Sequence, residues 1–359
     1  MQYLLIAALS CAALATSASA ADAPKPKKEM QAVLDELEAL GAKPIESLTP
    51  QQARQQPTPA DAVMALLKKQ GKSSEPEKVG KVENREIKGP GGSIPVRIYW
   101  PAGGKGPYPV VHYIHGGGWV IADLDVYDSS PRALANAARA IVVSSHYRQA
   151  PEHPFPAAHE DSFAAYQWVL ANAQSLGGDP NRVAVAGESA GGNMAAAITL
   201  MARQKNLQMP VHQLLVYPVA NYGFDTPSYE QNENAKPLSK DAMEWFFEHY
   251  LASEKDAESP LISLLQAKDL RGLPPATVIT AEIDPLRSEG EQYARMLQKA
   301  GVKVDYANYS GVTHEFFGMG AVLPDAKRAV KQASDGLKRS FQAAARAPES
   351  PASAGGTAK

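Results

Sequence analysis

The sequence predicts an α/β fold with a mostly parallel central sheet, helices on both of its faces and a helical cap. Two patterns predict this fold. Short apolar runs typical of buried strands alternate with helical patterns from residue 109 to residue 341, and such alternation sets strands side by side in parallel. Within it, residues 183–193 have the pattern of a strand, a tight turn and a helix, with Ser189 at the turn.

The individual elements follow from apolar periodicity and from the Gly and Pro residues at their ends. Helices are predicted at 30–40 and 60–69, each followed by a glycine. Alternating strands at 82–87 and 94–100, separated by a glycine-rich turn at 89–92, predict an antiparallel edge. The remaining predicted elements are strands at 109–115, 140–146, 183–186, 213–217, 276–281 and 302–309, and helices at 157–176, 194–203, 240–251, 288–300 and 325–341.

The main α/β domain is predicted at 73–341, and two segments, one before it and one inserted within it, do not belong to its alternating pattern. The helices within residues 21–72 either cover the core or form a mobile lid over a site, and amphipathic helices suit both roles. An insertion at about 221–252 is rich in aromatic residues, which either fill the core or wall a pocket. The insertion leaves the sheet at a strand end, where ligands bind in such folds, and this favours the pocket.

The N-terminal residues 1–20 predict a secretory signal peptide. A short apolar run precedes Ala-Ser-Ala at 18–20, a small-x-small cleavage site, so the mature chain would begin at Ala21 and be periplasmic or secreted. The run is too short for a membrane span, and no stable membrane insertion is predicted. Lipoprotein anchoring at Cys11 is not favoured, because the preceding run is short and Ala8 stands where Leu is expected.

Composition excludes several classes of function. The chain has 359 residues, 44% of them hydrophobic, and a net charge of −2, so no basic surface for nucleic acid is predicted. His112 and His115 would face opposite ways on one strand, and neither an H-E-x-x-H motif nor a cysteine ligand set is present. No metal and no cofactor are therefore predicted. Residues 342–359 lack large apolar side chains and predict a disordered tail.

The turn at 187–191 has the sequence Gly-Glu-Ser-Ala-Gly, which predicts a nucleophile elbow. Gly187 and Gly191 lack the Cβ atoms that would clash where strand and helix approach each other. The turn imposes a strained backbone on Ser189 and exposes its hydroxyl at the C-terminal edge of the sheet. The N–H groups at the start of the following helix favour negative charge there.

The segment 115–119, His-Gly-Gly-Gly-Trp, directly follows a predicted strand. Three successive glycines increase the conformational entropy that is lost on folding. We expect this cost where backbone N–H groups must approach a ligand closely. An ordinary glycine-rich turn is the alternative, and the elbow downstream disfavours it. In the α/β-hydrolase layout, this loop and the residue after the nucleophile form the oxyanion hole. The candidate donors are the N–H groups of Gly117, Gly118 and Ala190, supported by His115 and Gly116.

A nucleophilic serine needs a base and an acid that orients the base. His314 is the only histidine after Asp284, so the chain order Ser189, Asp284, His314 matches the order that the hydrolase fold requires. A surface histidine is the alternative for His314. An Asp-Pro turn is the alternative for Asp284, and Glu282 is the rival acid. Asp284 is preferred because it lies past the predicted end of its strand.

Together these motifs resemble the hormone-sensitive-lipase-like esterases, bacterial family IV of the α/β-hydrolases. The likeness runs from about residue 96 to residue 329. It is carried by His-Gly-Gly-Gly-Trp at 115–119, Tyr-Arg-Gln-Ala-Pro-Glu-His-Pro-Phe-Pro-Ala at 147–157, Glu-Asp at 160–161, Gly-Glu-Ser-Ala-Gly-Gly-Asn at 187–193, Asp-Pro-Leu at 284–286 and His-Glu-Phe-Phe at 314–317.

The resemblance includes three departures, none of which removes a catalytic part. Family members more often have Asp, Gly and Leu where Glu188, Ala122 and Gln149 stand. Glu188 lies beside the nucleophile and is expected to alter the local field. In the family the stretch 147–157 resembles scaffolding beneath the oxyanion loop, and the resemblance implies the same role for His115.

The resemblance implies an α/β-hydrolase fold with a cap in two parts, from residues 30–70 and 221–252. It also implies a carboxylesterase that cleaves short- to medium-chain acyl esters of small molecules. The same triad would serve an amidase or a deacetylase of sugars or antibiotics, so these alternatives stay open. A non-catalytic binding protein would have lost one of the active groups, and all of them are present. The sequence does not distinguish between a monomer and a homodimer.

Overall fold

The computed structural model describes residues 24–346, and within them eight strands form one sheet. The predicted signal peptide and the part of the predicted tail beyond residue 346 lie outside the described residues. The strands are β1 Lys81–Gly89, β2 Gly92–Trp100, β3 Tyr108–Ile114, β4 Ile141–Ser145, β5 Gly178–Glu188, β6 Gln213–Val216, β7 Ala276–Ile283 and β8 Val304–Thr313.

The strands are ordered β1-β2-β4-β3-β5-β6-β7-β8 across the sheet. β1 pairs antiparallel with β2, and β2 pairs antiparallel with β4. All other neighbours, from β4 and β3 through to β8, are parallel. The predicted parallel sheet with an antiparallel edge is therefore confirmed. Its parallel strands end at one edge, which is where such folds place their ligands.

Helices cover both faces of the sheet. They are α1 Lys28–Ala39, α2 Pro50–Ala53, α3 Pro59–Lys69, α4 Ser129–Ala138, α5 Ala157–Asn172, α6 Ala190–Gln204, α7 Pro227–Gln231, α8 Lys240–Tyr250, α9 Arg287–Lys299 and α10 Pro324–Arg346. α5, α6 and α9 pack on one face, whereas α4 and α10 pack on the other, where α1 and α3 extend the same apolar cluster.

The central strand β5 shows why both faces need helices. Val183 and Val185 pack into the cluster with α5 and α6, whereas Ala184 and Ala186 pack into the cluster with α4 and α10. All four side chains are buried. Side chains alternate between the faces of a strand, so a strand covered on both sides is an uninterrupted apolar run. This is the pattern that the sequence shows before the elbow.

Two differences concern helices. The sequence analysis missed α4, because its segment contains Pro131 and buries mostly small side chains around Leu134. The last helix, α10, continues to Arg346, so the first five residues assigned to a disordered tail are helical. Residues 342–346 include three alanines, the residue type with the highest helix propensity.

A third difference concerns the segment before His314. The strand predicted at 302–309 extends further than expected, because β8 continues through Gly311 to Thr313. Gly311 has φ +66°, and the pairing of β7 with β8 shifts between Ala281 and Ile283. Only glycine adopts this backbone conformation freely, so β8 can be irregular at Gly311 without ending there. His314 therefore follows directly after the last residue of β8.

The two segments expected to form a cap contact the main domain and each other. Lys27, just before α1, donates its backbone N–H to Gly311 O at 2.8 Å and pairs with Asp325 at 3.1 Å. Trp245 of α8 donates its indole N–H to Leu48 O at 3.1 Å. The N-terminal segment is thus joined to β8, to α10 and to the insertion.

The turn between β5 and α6 depends on close backbone packing, as the sequence predicted. A Cβ atom on Gly187 would lie 2.1 Å from the carbonyl oxygen of Gly191. One on Gly191 would lie 2.1 Å from the carbonyl oxygen of Ile114 on β3. Both contacts are with backbone, which cannot move aside without displacing a strand.

Replacing Gly191 by alanine should therefore destabilise the fold. The new Cβ would force β3 and α6 apart, and overpacking of this kind costs about 1–3 kcal/mol of unfolding free energy. Urea denaturation followed by circular dichroism measures the loss. Gly103→Ala is the matched control, because no atom lies within 4 Å of its added Cβ. Equal unfolding midpoints for the two variants would contradict the packing argument.

Candidate active site

Three side chains from three strand ends meet at the C-terminal edge of the sheet. Ser189 Oγ lies 2.9 Å from His314 Nε2, and His314 Nδ1 lies 2.7 Å from Asp284 Oδ2. Ser189 follows β5, Asp284 follows β7 and His314 follows β8. All three are buried. The structure thus brings the predicted nucleophile, acid and base into one hydrogen-bonded chain.

The backbone of Ser189 is held in a strained conformation. Its φ of 57° and ψ of −120° are rare for a residue with a side chain. The Ser189 N–H donates to Val216 O at 2.9 Å, and its carbonyl accepts from Asn193 N at 3.0 Å in the first turn of α6. These contacts fix the turn to the end of β6 and leave the hydroxyl directed at His314.

The structure decides between the two candidate acids. Asp284 uses Oδ2 for His314, and its Oδ1 accepts the backbone N–H of Leu286 at 2.9 Å. Glu282 instead accepts the backbone N–H of Gly311 at 2.7 Å and ties β7 to β8. Of the two candidates, Asp284 is therefore the one that is hydrogen-bonded to His314.

The electrostatic surroundings of His314 favour its protonated form. Burial by itself lowers the pKa of His314. The charge of Asp284 and its hydrogen bond act in the opposite direction, as do the charges of Glu315 and Glu188, and together they raise the pKa of His314 above its usual value. The imidazole is thus prepared to hold a proton that it takes from Ser189.

The glycine loop lies beside Ser189. Gly117 and Gly118 have φ values of +91° and +56°, which glycine adopts without strain. Within residues 24–346 neither N–H group donates a hydrogen bond. Ala190 is the first residue of α6, a position where the N–H has no partner inside the helix. The three predicted donors thus have N–H groups available at the site.

Buried side chains support this loop from beneath. His115 Nδ1 lies 2.8 Å from Gly116 O, and Tyr147 donates its hydroxyl to the same oxygen at 2.7 Å. His115 Nε2 lies 2.9 Å from His146 Nδ1. Gly116 itself has no room for a side chain, because a Cβ would lie 2.3 Å from the Tyr127 hydroxyl. His115 and Gly116, for which a supporting role is predicted, are therefore both held in contact with this loop.

Arg54 was missed by the sequence analysis, and it connects the N-terminal segment to the glycine loop. Its guanidinium donates to Val120 O at 2.8 Å and to Ala150 O at 2.7 Å, and it pairs with Glu152. Nothing in the local sequence marks Arg54, because its partners lie 66 and 96 residues away.

A cavity of about 580 Å³ opens over the triad. Ser189, His314, Gly117 and Gly118 form its floor. Both segments expected to form the cap contribute apolar walls. The wall residues include Leu37, Ile45, Leu238, Met243 and Phe246. The volume and lining are typical of a small-molecule site.

The aromatic insertion serves both of the roles considered for it. Phe246 of α8 lines the cavity and packs against Gly118, where a Cβ would lie 2.1 Å from the Phe246 ring. Tyr250 is buried and stacks on Trp119, with ring centroids 4.3 Å apart. The insertion therefore fills core space behind the glycine loop and walls the pocket in front of it.

Glu188, the residue before the nucleophile, is fully buried behind it. Tyr113 donates its hydroxyl to Oε1 at 2.5 Å, and Tyr217 donates to Oε2. Burial, followed by the charge of Glu315, raises the pKa of Glu188 to about 7. The charge of the Glu188 carboxyl therefore changes near neutral pH, and the electric field that Glu188 is expected to exert on the site changes with it.

Glu315 and its tyrosine partner were not identified from the sequence. Glu315 follows His314, and its Oε1 lies 3.9 Å from His314 Nε2. Tyr127 donates its hydroxyl to the same Oε1 at 2.5 Å. The position of Glu315 directly after the predicted base was the one available signal. Tyr127, 188 residues earlier, had none.

Residues 24–346 show no sign of two other kinds of site. No group of three His, Cys, Asp or Glu side chains in this part of the chain is arranged to hold a metal ion. No helix among the same residues is long and apolar enough to cross a bilayer.

With this geometry established, comparisons place the chain in a known family. A family described as the alpha/beta hydrolase fold matches residues 111–318, more than half of the chain. The chain is 44% identical over 253 residues to carboxylesterase NlhH of Mycobacterium tuberculosis, covering 70% of this chain and 79% of that protein. It is 33% identical over 301 residues to an ethyl acetate hydrolase of Pseudomonas putida, covering 82% and 92%.

Solved structures agree with these relatives. A hyperthermophilic esterase from the archaeon Pyrobaculum calidifontis superposes with a TM-score of 0.78 at 38% identity, over 89% of this chain and 99% of that one. The chain therefore belongs to the α/β-hydrolase superfamily, and within it to the hormone-sensitive-lipase-like esterases of family IV. The resemblance inferred from the motifs is confirmed.

The electrostatics of His314 predict the acid limb of the pH–rate profile. The imidazole must be neutral to accept a proton, so kcat/KM for an ester substrate should fall as the pH drops through the pKa of His314. Because this pKa is raised, the midpoint should lie above about 6.5, the ordinary histidine value. The coupled carboxyls nearby contribute to the apparent value.

Two variants test the cause of this shift. Asp284→Asn should move the midpoint to lower pH, because burial then outweighs the remaining charges. Glu282→Gln should leave the midpoint in place, since Glu282 makes its hydrogen bond to Gly311. A wild-type midpoint below 6.5, or the same displacement in both variants, would refute the assignment.

Proposed function

We propose that this protein is a serine carboxylesterase that hydrolyses short- to medium-chain acyl esters of small molecules. The observation that carries the proposal is the hydrogen-bonded chain Ser189–His314–Asp284, which opens into an apolar cavity beside available N–H groups. The relatives named above are a carboxylesterase and an ethyl acetate hydrolase. These names favour esters over the amidase and deacetylase alternatives.

Acylation begins when Ser189 Oγ attacks the ester carbonyl carbon and His314 Nε2 takes its proton. Asp284 holds the imidazole and stabilises the cation that forms. The N–H groups of Gly117, Gly118 and Ala190 form the oxyanion hole, where each important donor is worth about 3 kcal/mol. His314 then protonates the alcohol oxygen, the bond from the carbonyl carbon to that oxygen breaks, and an acyl-enzyme is left on Ser189.

Deacylation uses the same groups in the reverse direction. A water molecule attacks the acyl carbon while His314 Nε2 takes one of its protons. The bond from the acyl carbon to Ser189 Oγ breaks, and Oγ recovers the proton from His314. The carboxylic acid leaves, and the enzyme returns to its starting state.

The cavity supports the proposed range of substrates. Its volume of about 580 Å³ lies within the usual range of small-molecule sites. Apolar walls from α1 and α8 suit an acyl chain, because burying each methylene contributes about 0.8 kcal/mol. Phe246 and Met243 are among the large side chains that line this cavity.

Rates with p-nitrophenyl esters, from acetyl to palmitoyl, test this function. We expect the highest kcat/KM at short acyl lengths and a loss of at least about 10³-fold in Ser189→Ala, which lacks the nucleophile. Ser175→Ala removes an exposed serine hydroxyl and is the matched control. Equal rates in the wild type and Ser189→Ala would exclude Ser189 as nucleophile, and a maximum at palmitoyl would exclude the proposed chain lengths.

We also propose that the protein is exported, with residues 1–20 removed. α1 begins at Lys28, and the first contact that anchors it to the domain is made by Lys27. Cleavage before Ala21 would therefore leave the described fold complete. The full chain expressed in a bacterial host should yield extracytoplasmic protein that begins at Ala21, as read by mass spectrometry of the intact chain.

The control is a chain that lacks residues 2–20, so that the initiating methionine directly precedes Ala21. Its product should stay in the cytoplasm, because the predicted signal has been deleted. Cytoplasmic accumulation of the uncleaved full-length chain would contradict export. A lipid-modified N-terminus at Cys11 would instead show membrane anchoring.

A further inference from the structure

The active site contains a second carboxylate that the mechanism above does not use. Glu315 lines the cavity over the triad, next to His314. Its Oε1 lies 3.9 Å from His314 Nε2, the nitrogen that exchanges protons with Ser189 and with the substrate. No other acidic group among residues 24–346 lies within 4 Å of this nitrogen.

Glu315 is held beside His314 by a backbone conformation that a residue with a side chain rarely adopts. Its φ of 71° and ψ of 2° lie in the left-handed region, which is unfavourable for a residue with a side chain. Strain of this kind persists where the surrounding structure imposes it, and it is concentrated at functional sites. Here the hydroxyl of Tyr127 holds the Glu315 carboxyl by a hydrogen bond of 2.5 Å.

The charge of Glu315 follows from its neighbours. Burial raises the pKa of Glu315, whereas His314 and the Tyr127 hydroxyl lower it. Glu188 lies in the same region and has the pKa raised to about 7, with the charge of Glu315 as one cause. Two nearby carboxyls disfavour simultaneous ionisation, whereas the charge of His314 and the Tyr127 hydroxyl favour the ionised form of Glu315.

We propose that Glu315 positions the water molecule that hydrolyses the acyl-enzyme. The inference rests on the proposed esterase function and extends it to a single step. In the free enzyme Nε2 is occupied by the Ser189 hydroxyl. In the acyl-enzyme that oxygen is esterified, so Nε2 becomes free to accept a hydrogen bond from water.

The distance between the two acceptors suits this task. A water molecule makes hydrogen bonds of about 2.8 Å, so a single one can donate to both His314 Nε2 and Glu315 Oε1, which lie 3.9 Å apart. One of its protons then passes to Nε2 as its oxygen attacks the acyl carbon, while the other stays bonded to Glu315. Glu315 is a positioning residue, and His314 remains the base.

The proposal makes a step-specific prediction. Removing the side chain in Glu315→Ala should slow deacylation and leave acylation nearly unchanged. Stopped-flow measurement of p-nitrophenol release from p-nitrophenyl acetate separates the two steps as a burst and a steady state. We expect a burst rate constant within about twofold of wild type and a steady-state rate at least about tenfold lower, because a misplaced reactant costs up to about a hundredfold.

Two further variants separate positioning from a structural role. Tyr127→Phe keeps the carboxylate but removes the hydroxyl that fixes it, and it should slow the same step by a smaller factor. It also keeps the proposal testable if Glu315→Ala does not fold. Glu254→Ala removes an exposed carboxylate that does not line the cavity, and it should leave the ratio of deacylation to acylation rate constants as in wild type.

The outcomes distinguish failure of this inference from failure of the esterase function. Labelling by a p-nitrophenyl phosphonate reports whether Ser189 is a nucleophile, because this reaction needs no deacylation. If Ser189 is labelled but Glu315→Ala and Tyr127→Phe slow burst and steady state equally, Glu315 only supports the loop and the inference is overturned. The same holds if neither rate changes. Absence of labelling in the wild type would overturn the esterase function itself.

Discussion

The close contact of backbone atoms at the turn between β5 and α6 is the constraint on which the active site depends. Gly187 and Gly191 bring helix, strand and the neighbouring β3 so near that no Cβ atom fits between them. This packing forces Ser189 into its strained conformation and lifts its hydroxyl above the sheet. The same close contact brings the first N–H groups of α6 and the glycine loop after β3 near Ser189. The backbone packing at this turn therefore positions the proposed nucleophile together with the proposed donors.

Burial then determines the electrostatics. Ser189, His314 and Asp284 lie under the cap segments, where a charge is poorly solvated and depends on its partners. Asp284 compensates for the burial of His314. Behind them, tyrosine hydroxyls from β3, the end of β6 and the loop before α4 stabilise two further carboxyls, Glu188 and Glu315. Such a network holds its members rigidly, because each buried polar group would be costly without its partner.

The cap segments complete the site from outside the sheet. Arg54 holds the glycine loop from the N-terminal side, and Phe246 presses on the same loop from the insertion. Trp245 joins the two segments through its bond to Leu48. The walls of the cavity and the position of the glycine loop are therefore coupled, so substitutions in these segments are expected to affect the proposed oxyanion donors as well as substrate fit.

The sequence alone was enough to predict four features: the parallel sheet with its antiparallel edge, the elbow, the glycine loop and the order Ser189, Asp284, His314. Each of these features has a local pattern in the sequence. A glycine can indicate a position where a Cβ atom does not fit, and an apolar run indicates a strand that is buried on both faces. Two features appear only in the folded chain: His314 is hydrogen-bonded to Asp284 and not to Glu282, and Glu315 contacts Tyr127 across 188 residues. Such long-range side-chain contacts depend on the order of the strands and on an irregular strand end. Neither of these produces a periodic pattern in the amino-acid sequence.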